Sequence, residues 1–160
     1  MRKKTIEDYV ELVYIIQKKK KRVHTNDVAF ALHINPASVT EIFHKLSDEG
    51  YIHYEKYSGV TLTKKGKEIA MKTKKRHDTL KSFLMILGIN EKIADEDACR
   101  IEHIVNPETM KKLRKFVEFA ELENVCSRWL DHFHYYYETG EHIECKPAHE
   151  EKCPVHGGKR

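Results

Sequence analysis

Between Val28 and Leu46 the apolar residues fall into two short helical sets separated by "HINPAS", a turn fixed by Ile34, Asn35 and Pro36. Nothing else in the chain restricts its fold as strongly. Val28, Ala29 and Leu32 mark the inward face of a helix within "HTNDVAFALHI". Val39, Ile42, Phe43 and Leu46 mark that of a second helix, from about Ala37 to Glu49. Two short helices around a tight turn predict a helix-turn-helix.

The flanking segments complete the unit. Thr5 caps a first helix with Ile6, Tyr9, Val10, Val13, Tyr14 and Ile16 at helical spacing, ending at the run "KKKKR". Gly50 stops the second helix of the motif, and "YIHYEKYSGVTLT" then gives two β-rich runs around Ser58 and Gly59, a hairpin signal. Helices followed by a hairpin predict a winged helix-turn-helix.

Beyond it, a helix is expected over about Lys64 to Leu87, with Ala70, His77, Leu80, Leu84 and Leu87 on one stripe and Gly88 as its stop. "DEDACRIEHIV" (95–105) reads as an amphipathic helix, and "NPE" at 106–108 starts another, carrying Met110, Leu113, Phe116, Val117 and Ala120. A last helix, about Glu123 to Glu138, holds Trp129, Phe133 and Tyr135 to Tyr137 before Gly140. The expected fold is mainly α, a winged helix-turn-helix domain with a small β-hairpin wing followed by an all-helical dimerisation domain. Its expected divisions are 1–72, 73–140 and a Cys/His-containing tail at 141–160.

Charge separates the two halves. Residues 1–76 carry 17 Lys and Arg against 9 Asp and Glu, and the rest 12 against 16. A basic front half points to double-stranded DNA as partner. No apolar run is long enough to cross a bilayer and the N-terminus lacks a signal-peptide core, so a cytoplasmic protein with no membrane partner is expected. In that compartment the four cysteines are reduced thiols or metal ligands.

The outward residues of the second motif helix are Ser38, Thr40, Glu41, His44 and Lys45, short polar groups and one cation suited to phosphates and base edges. Asn35 and Pro36 lead into that helix, and Lys56 and Tyr57 at the hairpin tip reach for an adjoining groove. Glu41 repels phosphates, so it accepts from cytosine or faces solvent.

A second constellation is chemical. On a continuous helix, Cys99, Glu102 and His103 would stack thiol, carboxylate and imidazole on one face. Asp8 and Glu11 lie three apart on the first helix, and His77 sits on the stripe of the long one. Each has a bland reading taken singly: a core histidine, a small buried thiol, a capping and surface pair. Their combination with a DNA-reading half suggests a ligand that a repressor senses.

"TIEDYVELVYII", "HINPASVTEIFHKLSDEGYIHYEKYSGVTLTKKGKEIA", "RHDTLKSFL" and "DACRIEH" together resemble the diphtheria toxin repressor and manganese transport regulator family of metal-dependent repressors. The resemblance covers about residues 5–140. It implies a homodimer whose winged helix-turn-helix domains bind operator DNA when Fe²⁺ or Mn²⁺ occupies a site between the DNA-binding and dimerisation domains, controlling metal uptake or homeostasis genes. By resemblance to the manganese branch, Asp8, Glu11, His77, Glu102 and His103 match metal ligands. That branch has Glu at the position of Cys99, whereas the iron branch has a thiol there but Met in place of Asp8. The chain is a hybrid, and it ends too early for the extra SH3-like domain of the iron branch. A single thiolate is softer than a bridging glutamate, which favours Fe²⁺, with Mn²⁺ second and Co²⁺, Ni²⁺ or Zn²⁺ binding in vitro.

The expected switch is electrostatic. Asp8, Glu11 and Glu102 repel one another without metal and coordinate it when it is present, fixing the spacing of two recognition helices in a dimer built on Ile101, Ile104, Val105 and the helix after Pro107. In the tail, Cys145, His149, Cys153 and His156 read as a second metal site, an iron-sulfur site or a weakly binding extension; the spacing matches no strong zinc pattern. Two rivals differ in class. One is a winged-helix regulator sensing a small organic ligand among the aromatics of 129–137. The other is a metal hydrolase, against which no HExxH, nucleophile elbow or phosphate loop is present, so no enzyme is expected.

Overall fold

The computed structural model describes residues 1–122 and 128–142 of the 160. The elements are α1 (Lys3–Lys19), α2 (Thr25–Leu32), α3 (Pro36–Asp48), β1 (Ile52–Glu55), β2 (Gly59–Leu62), α4 (Lys64–Ile86), α5 (Glu91–Ile101), α6 (Pro107–Leu122) and α7 (Arg128–Thr139). This is a mainly helical chain with a helix-turn-helix and a two-stranded wing, as the hydrophobic spacing predicts.

Two compact units divide it. The first contains Met1–Asp78 together with Cys99–Val105; the second contains Thr79–Ala98 and the chain from Asn106 onward. In the first unit one apolar core joins α1 (Ile6, Tyr9, Val10, Val13), α2 (Val28, Ala29), α3 (Val39, Phe43, Leu46), the hairpin (Ile52, Val60) and Ala70 of α4. The strands pair antiparallel, Ile52 opposite Leu62 and Glu55 opposite Gly59. Val23 adds a single bridge to the outer edge of β2, exchanging backbone hydrogen bonds of 3.2 and 2.7 Å with Val60. That bridge explains Gly59, where a Cβ would lie 2.8 Å from the Val23 carbonyl oxygen. Gly66 has the same kind of role at the start of α4, since a Cβ there would sit 2.0 Å from the Tyr51 carbonyl oxygen.

Several boundaries differ from expectation. Helix α1 begins at Lys3 with Arg2 as its cap, and the Ile6 amide already bonds the Arg2 carbonyl at 3.2 Å. Thr5 therefore lies inside the first turn and caps nothing. Leu32 is exposed rather than inward. His33 takes a left-handed conformation (φ 54°), and the Ile34 amide turns back to the Ala29 carbonyl, which ends α2 with Leu32 facing away from the core.

The largest difference is at α5, which runs four residues earlier than expected. Asn90 caps it, its side-chain oxygen accepting from the Lys92 amide at 2.9 Å. It ends at Ile101, so Glu102 and His103 stand in the turn that follows and share no helical stripe with Cys99. The termination has a local cause: Asn106 accepts from the Glu108 amide at 2.8 Å and Pro107 opens α6, so the chain must leave the helix a few residues earlier.

In the second unit, Phe83, Phe116 and Trp129 form a chain of edge-to-face rings with centroids 5.7 and 5.8 Å apart. Ala94, Ala98, Leu80, Met110 and Val117 are buried. The expected start of the last helix falls partly on residues 123–127, outside the described residues, as do Cys145, His149, Cys153 and His156. No helix among the described residues is long and apolar enough to cross a membrane.

Candidate metal centre

All six expected ligands belong to the first unit, because Cys99–Val105 folds with residues 1–78. Helix α1 supplies Asp8 and Glu11, α4 supplies His77 near its middle, and the end of α5 with its following turn supplies the rest. Burying charge here is costly unless something answers it. Glu102 is 1% exposed, Glu11 and His77 are buried, and the His103 side chain is only 3% exposed.

Glu102 is the hub. One of its oxygens lies 3.2 Å from His77 Nδ1 and the other 3.1 Å from His103 Nε2. Glu11 is a further carboxyl that interacts with it. Burial pushes the Glu11 carboxyl up to about 7, and the Glu102 charge adds to that rise. Burial also raises Asp8, against the pull of His103 and Lys4.

Asp8, Glu102 and His103 each place one donor atom within 4.8 Å of the others. His103 Nε2 lies 2.7 Å from Asp8 Oδ1, yet neither this oxygen nor that of Glu102 meets it in hydrogen-bond geometry, and the nitrogen is buried without a partner. A divalent cation with bonds of about 2 Å needs donors roughly 3 to 4 Å apart, so this set of two carboxylates and an imidazole fits one. Cys99 stands apart from that closest group. It is exposed on α5, and its thiol is pushed up first by burial of its surroundings and then by the charges of Glu102, Asp8 and Glu11.

Sequence reasoning missed two residues beside the cluster. Glu7, 5% exposed, lies 2.8 Å from His103 Nδ1 through Oε2 and accepts from Arg76 Nη2 at 2.9 Å through Oε1. A signal existed: Glu7 precedes Val10 and Tyr14 by three and seven residues, which puts it on the inward stripe of α1.

The expected DNA-reading residues are nearly all exposed. Asn35, Pro36, Ser38, Glu41, His44 and Lys45 are exposed and Thr40 half-buried along α3, while Lys56 and Tyr57 are exposed at the wing tip. Two of these side chains serve the helix itself: Asn35 accepts from the Ala37 amide at 2.8 Å, and the Thr40 hydroxyl donates to the Pro36 carbonyl at 3.0 Å. Only the Asn35 amide nitrogen remains to meet a phosphate. His44 packs edge-on against Tyr54 at 5.1 Å, and Arg22 holds the wing by donating to the Ser58 carbonyl at 3.0 Å. Trp129, Phe133, Tyr136 and Tyr137 are exposed rather than gathered around an enclosed cavity.

Two family models match successive parts of the chain. Residues 1–60 match the iron dependent repressor N-terminal DNA binding domain, and residues 63–125 match the iron dependent repressor metal binding and dimerisation domain. An uncharacterized HTH-type transcriptional regulator of Methanocaldococcus jannaschii is 43% identical over 116 residues, 71% of this chain and 93% of that relative. The chain belongs to the iron-dependent repressor family. Members of this family are transcriptional regulators, not enzymes. Among solved structures, a manganese-dependent transcriptional repressor in complex with manganese is similar with a TM-score of 0.65 and 25% identity, over 71% of this chain and 53% of that one. The manganese regulator SloR (TM-score 0.63, 27% identity) and the metal-dependent transcriptional regulator MtsR (0.65, 27%) each share 71% of this chain and 54% of their own. The chain thus spans about half the length of those solved repressors. Within the stretch that matches the family's metal-binding and dimerisation domain, residues 63–78 and 99–105 fold in one unit with the DNA-binding domain of this chain.

Proposed function

We propose that this chain is a metal-dependent transcriptional repressor that binds operator DNA as a homodimer in the cytoplasm when Fe²⁺ or Mn²⁺ is held by Asp8, Glu11, His77, Glu102 and His103, with Cys99 as the adjoining thiol ligand. The observation that carries this reading is the buried His103 Nε2, without a hydrogen-bond partner and 2.7 Å from an oxygen of Asp8. Metal-uptake or homeostasis genes are the targets that suit a sensor of such ions.

A divalent cation supplies positive charge where Asp8, Glu11 and Glu102 otherwise repel one another. The residues do the rest. Asp8 and Glu11 bring the middle of α1, Glu102 and His103 bring the turn leading to α6, and His77 brings α4, so their common attachment fixes the reading domain to the chain that enters the dimerisation helices. Oxygen and imidazole donors suit Mn²⁺ and Fe²⁺, and the thiol of Cys99 favours Fe²⁺ and lets Co²⁺, Ni²⁺ or Zn²⁺ substitute. Ile104, 79% exposed, and the exposed Phe119 support an apolar dimer surface. Ser38, Thr40, Glu41, His44 and Lys45 of α3 then face base edges and phosphates, with Asn35 and Pro36 at the helix start and Lys56 and Tyr57 on the wing. At a free metal level about 100 times its dissociation constant, binding supplies about 2.7 kcal/mol to whichever state it favours, enough for a switch.

The test is operator binding by the full chain, measured anaerobically with Mn²⁺, with Fe²⁺ and with a chelator. Binding that strengthens by roughly a hundredfold with either metal is expected, from the same linkage energy. Equal affinity under all three conditions would overturn the reading.

A further inference from the structure

We propose that Glu7 is a positioning residue: its carboxylate, anchored by Arg76, holds the proton of His103 on Nδ1 and so presents Nε2 as a bare lone pair toward Asp8 and Glu102. This rests on the metal-binding reading above and adds a residue that coordinates nothing.

The argument begins with donors and acceptors. A guanidinium can only donate, so the 2.9 Å contact from Arg76 Nη2 makes Glu7 Oε1 an acceptor. An ionised carboxylate accepts at both oxygens, and its second contact is His103 Nδ1 at 2.8 Å. The proton of a neutral His103 ring therefore sits on Nδ1. The opposite nitrogen has the geometry this requires: Nε2 is buried, close to oxygens of Asp8 and Glu102 at 2.7 and 3.1 Å, and donates to neither.

Glu7 is also placed so that it does little else. It is buried, it follows the inward stripe of α1, and its neighbour Asp8 points to the other side of the His103 ring. A carboxylate behind a ligating imidazole fixes ring and tautomer and makes the free nitrogen more basic, and losing such a partner costs about 10- to 100-fold in metal affinity. Arg76 in turn keeps the carboxylate from rotating toward the cation itself.

The test uses the full chain and the variants Glu7→Leu and Glu7→Gln, with Mn²⁺ and Co²⁺ as probes. Long-range proton–nitrogen NMR on the metal-free protein reads the His103 tautomer directly, which a merely structural role for Glu7 would leave unmoved. The parent is expected to carry the ring proton on Nδ1. Glu7→Leu is expected to shift the population toward Nε2–H and to weaken both metals by about 10- to 100-fold. Glu7→Gln, whose amide oxygen still accepts, should keep the Nδ1–H tautomer while losing less affinity. It carries the test if Glu7→Leu does not fold, since unchanged affinity in Glu7→Gln counts against the proposal. A parent with the proton on Nε2, or a folded Glu7→Leu chain that binds metal like the parent, overturns the role of Glu7. If the parent binds neither metal, the functional reading itself fails, which is a separate outcome.

Discussion

The two functional surfaces of the first unit solve opposite problems. The residues proposed to read DNA, on α3 and at the wing tip, are exposed or half-buried, and two of them, Asn35 and Thr40, bond within their own helix. The cluster around Glu102 is buried, and its charges must answer one another. On the exposed face solvent can answer any polar group, so burial and partners say little about what a side chain is for. In the buried cluster each unmatched atom is informative, because an unsatisfied group there costs free energy that solvent does not repay. The unpartnered Nε2 of His103 and the raised carboxyl of Glu11 are the observations behind the proposed cation.

The sharpest break of this contrast is Glu102→Gln. It removes a buried charge from beside Glu11, so the metal-free protein should melt at the same temperature or higher. Mn²⁺ affinity should nevertheless fall by more than the roughly 10- to 100-fold that a supporting partner is worth. Calorimetric titration together with thermal melts checks both halves, and a destabilised variant that still binds metal would contradict the role of Glu102.

Next in size is the pH dependence. The Glu11 carboxyl titrates near 7 in the fold against 4.5 for a free glutamate. It therefore contributes stability to the metal-free protein that is fully present below about 4.5 and is lost as pH rises through about 7. Metal binding must displace that proton, so affinity should rise about tenfold per pH unit up to that point and level off above it. Glu11→Gln should flatten the profile. A profile flat in the parent, followed by Mn²⁺ titrations from pH 5.5 to 8, would remove the raised Glu11 carboxyl from the account.

How far these features are legible in the sequence differs along the same line. The helix-turn-helix, the wing and the DNA-binding half can be read from the spacing of Val28, Val39, Phe43 and Leu46, from Pro36 and from the hairpin residues, because period and turn chemistry are local. The metal residues are legible as types, but not as an arrangement. Read as one helix, 95–105 puts Cys99, Glu102 and His103 on a common stripe; the Asn90 and Asn106 caps shift the real helix toward the N-terminus and leave the last two in a turn. Glu7 and Arg76 are hidden for another reason. Their meaning depends on His103, 96 residues from Glu7, and no local pattern carries a contact of that separation. Thr5 and Leu32 fail because first-turn capping and helix-end burial turn on a single backbone bond or a single left-handed residue.

The smallest effect belongs to the exposed face. Lys45→Ala should weaken operator binding nearly uniformly across sequences and lower the salt slope by about one. Ser38→Ala should cost about 1 to 3 kcal/mol if its hydroxyl reads a base edge. Neither should change Mn²⁺ affinity, since both lie outside the buried cluster. Salt-dependent binding isotherms beside metal titrations test that separation, and a loss of metal affinity in either variant would join the two surfaces.

The central claim is that a divalent ion sits among Asp8, Glu102 and His103. Anomalous diffraction at the manganese edge from crystals grown with Mn²⁺ tests it most directly. The account predicts one strong peak about 2 Å from the Asp8 carboxylate, the Glu102 carboxylate and His103 Nε2. A crystal with bound manganese elsewhere, and these three side chains without a peak among them, would contradict it.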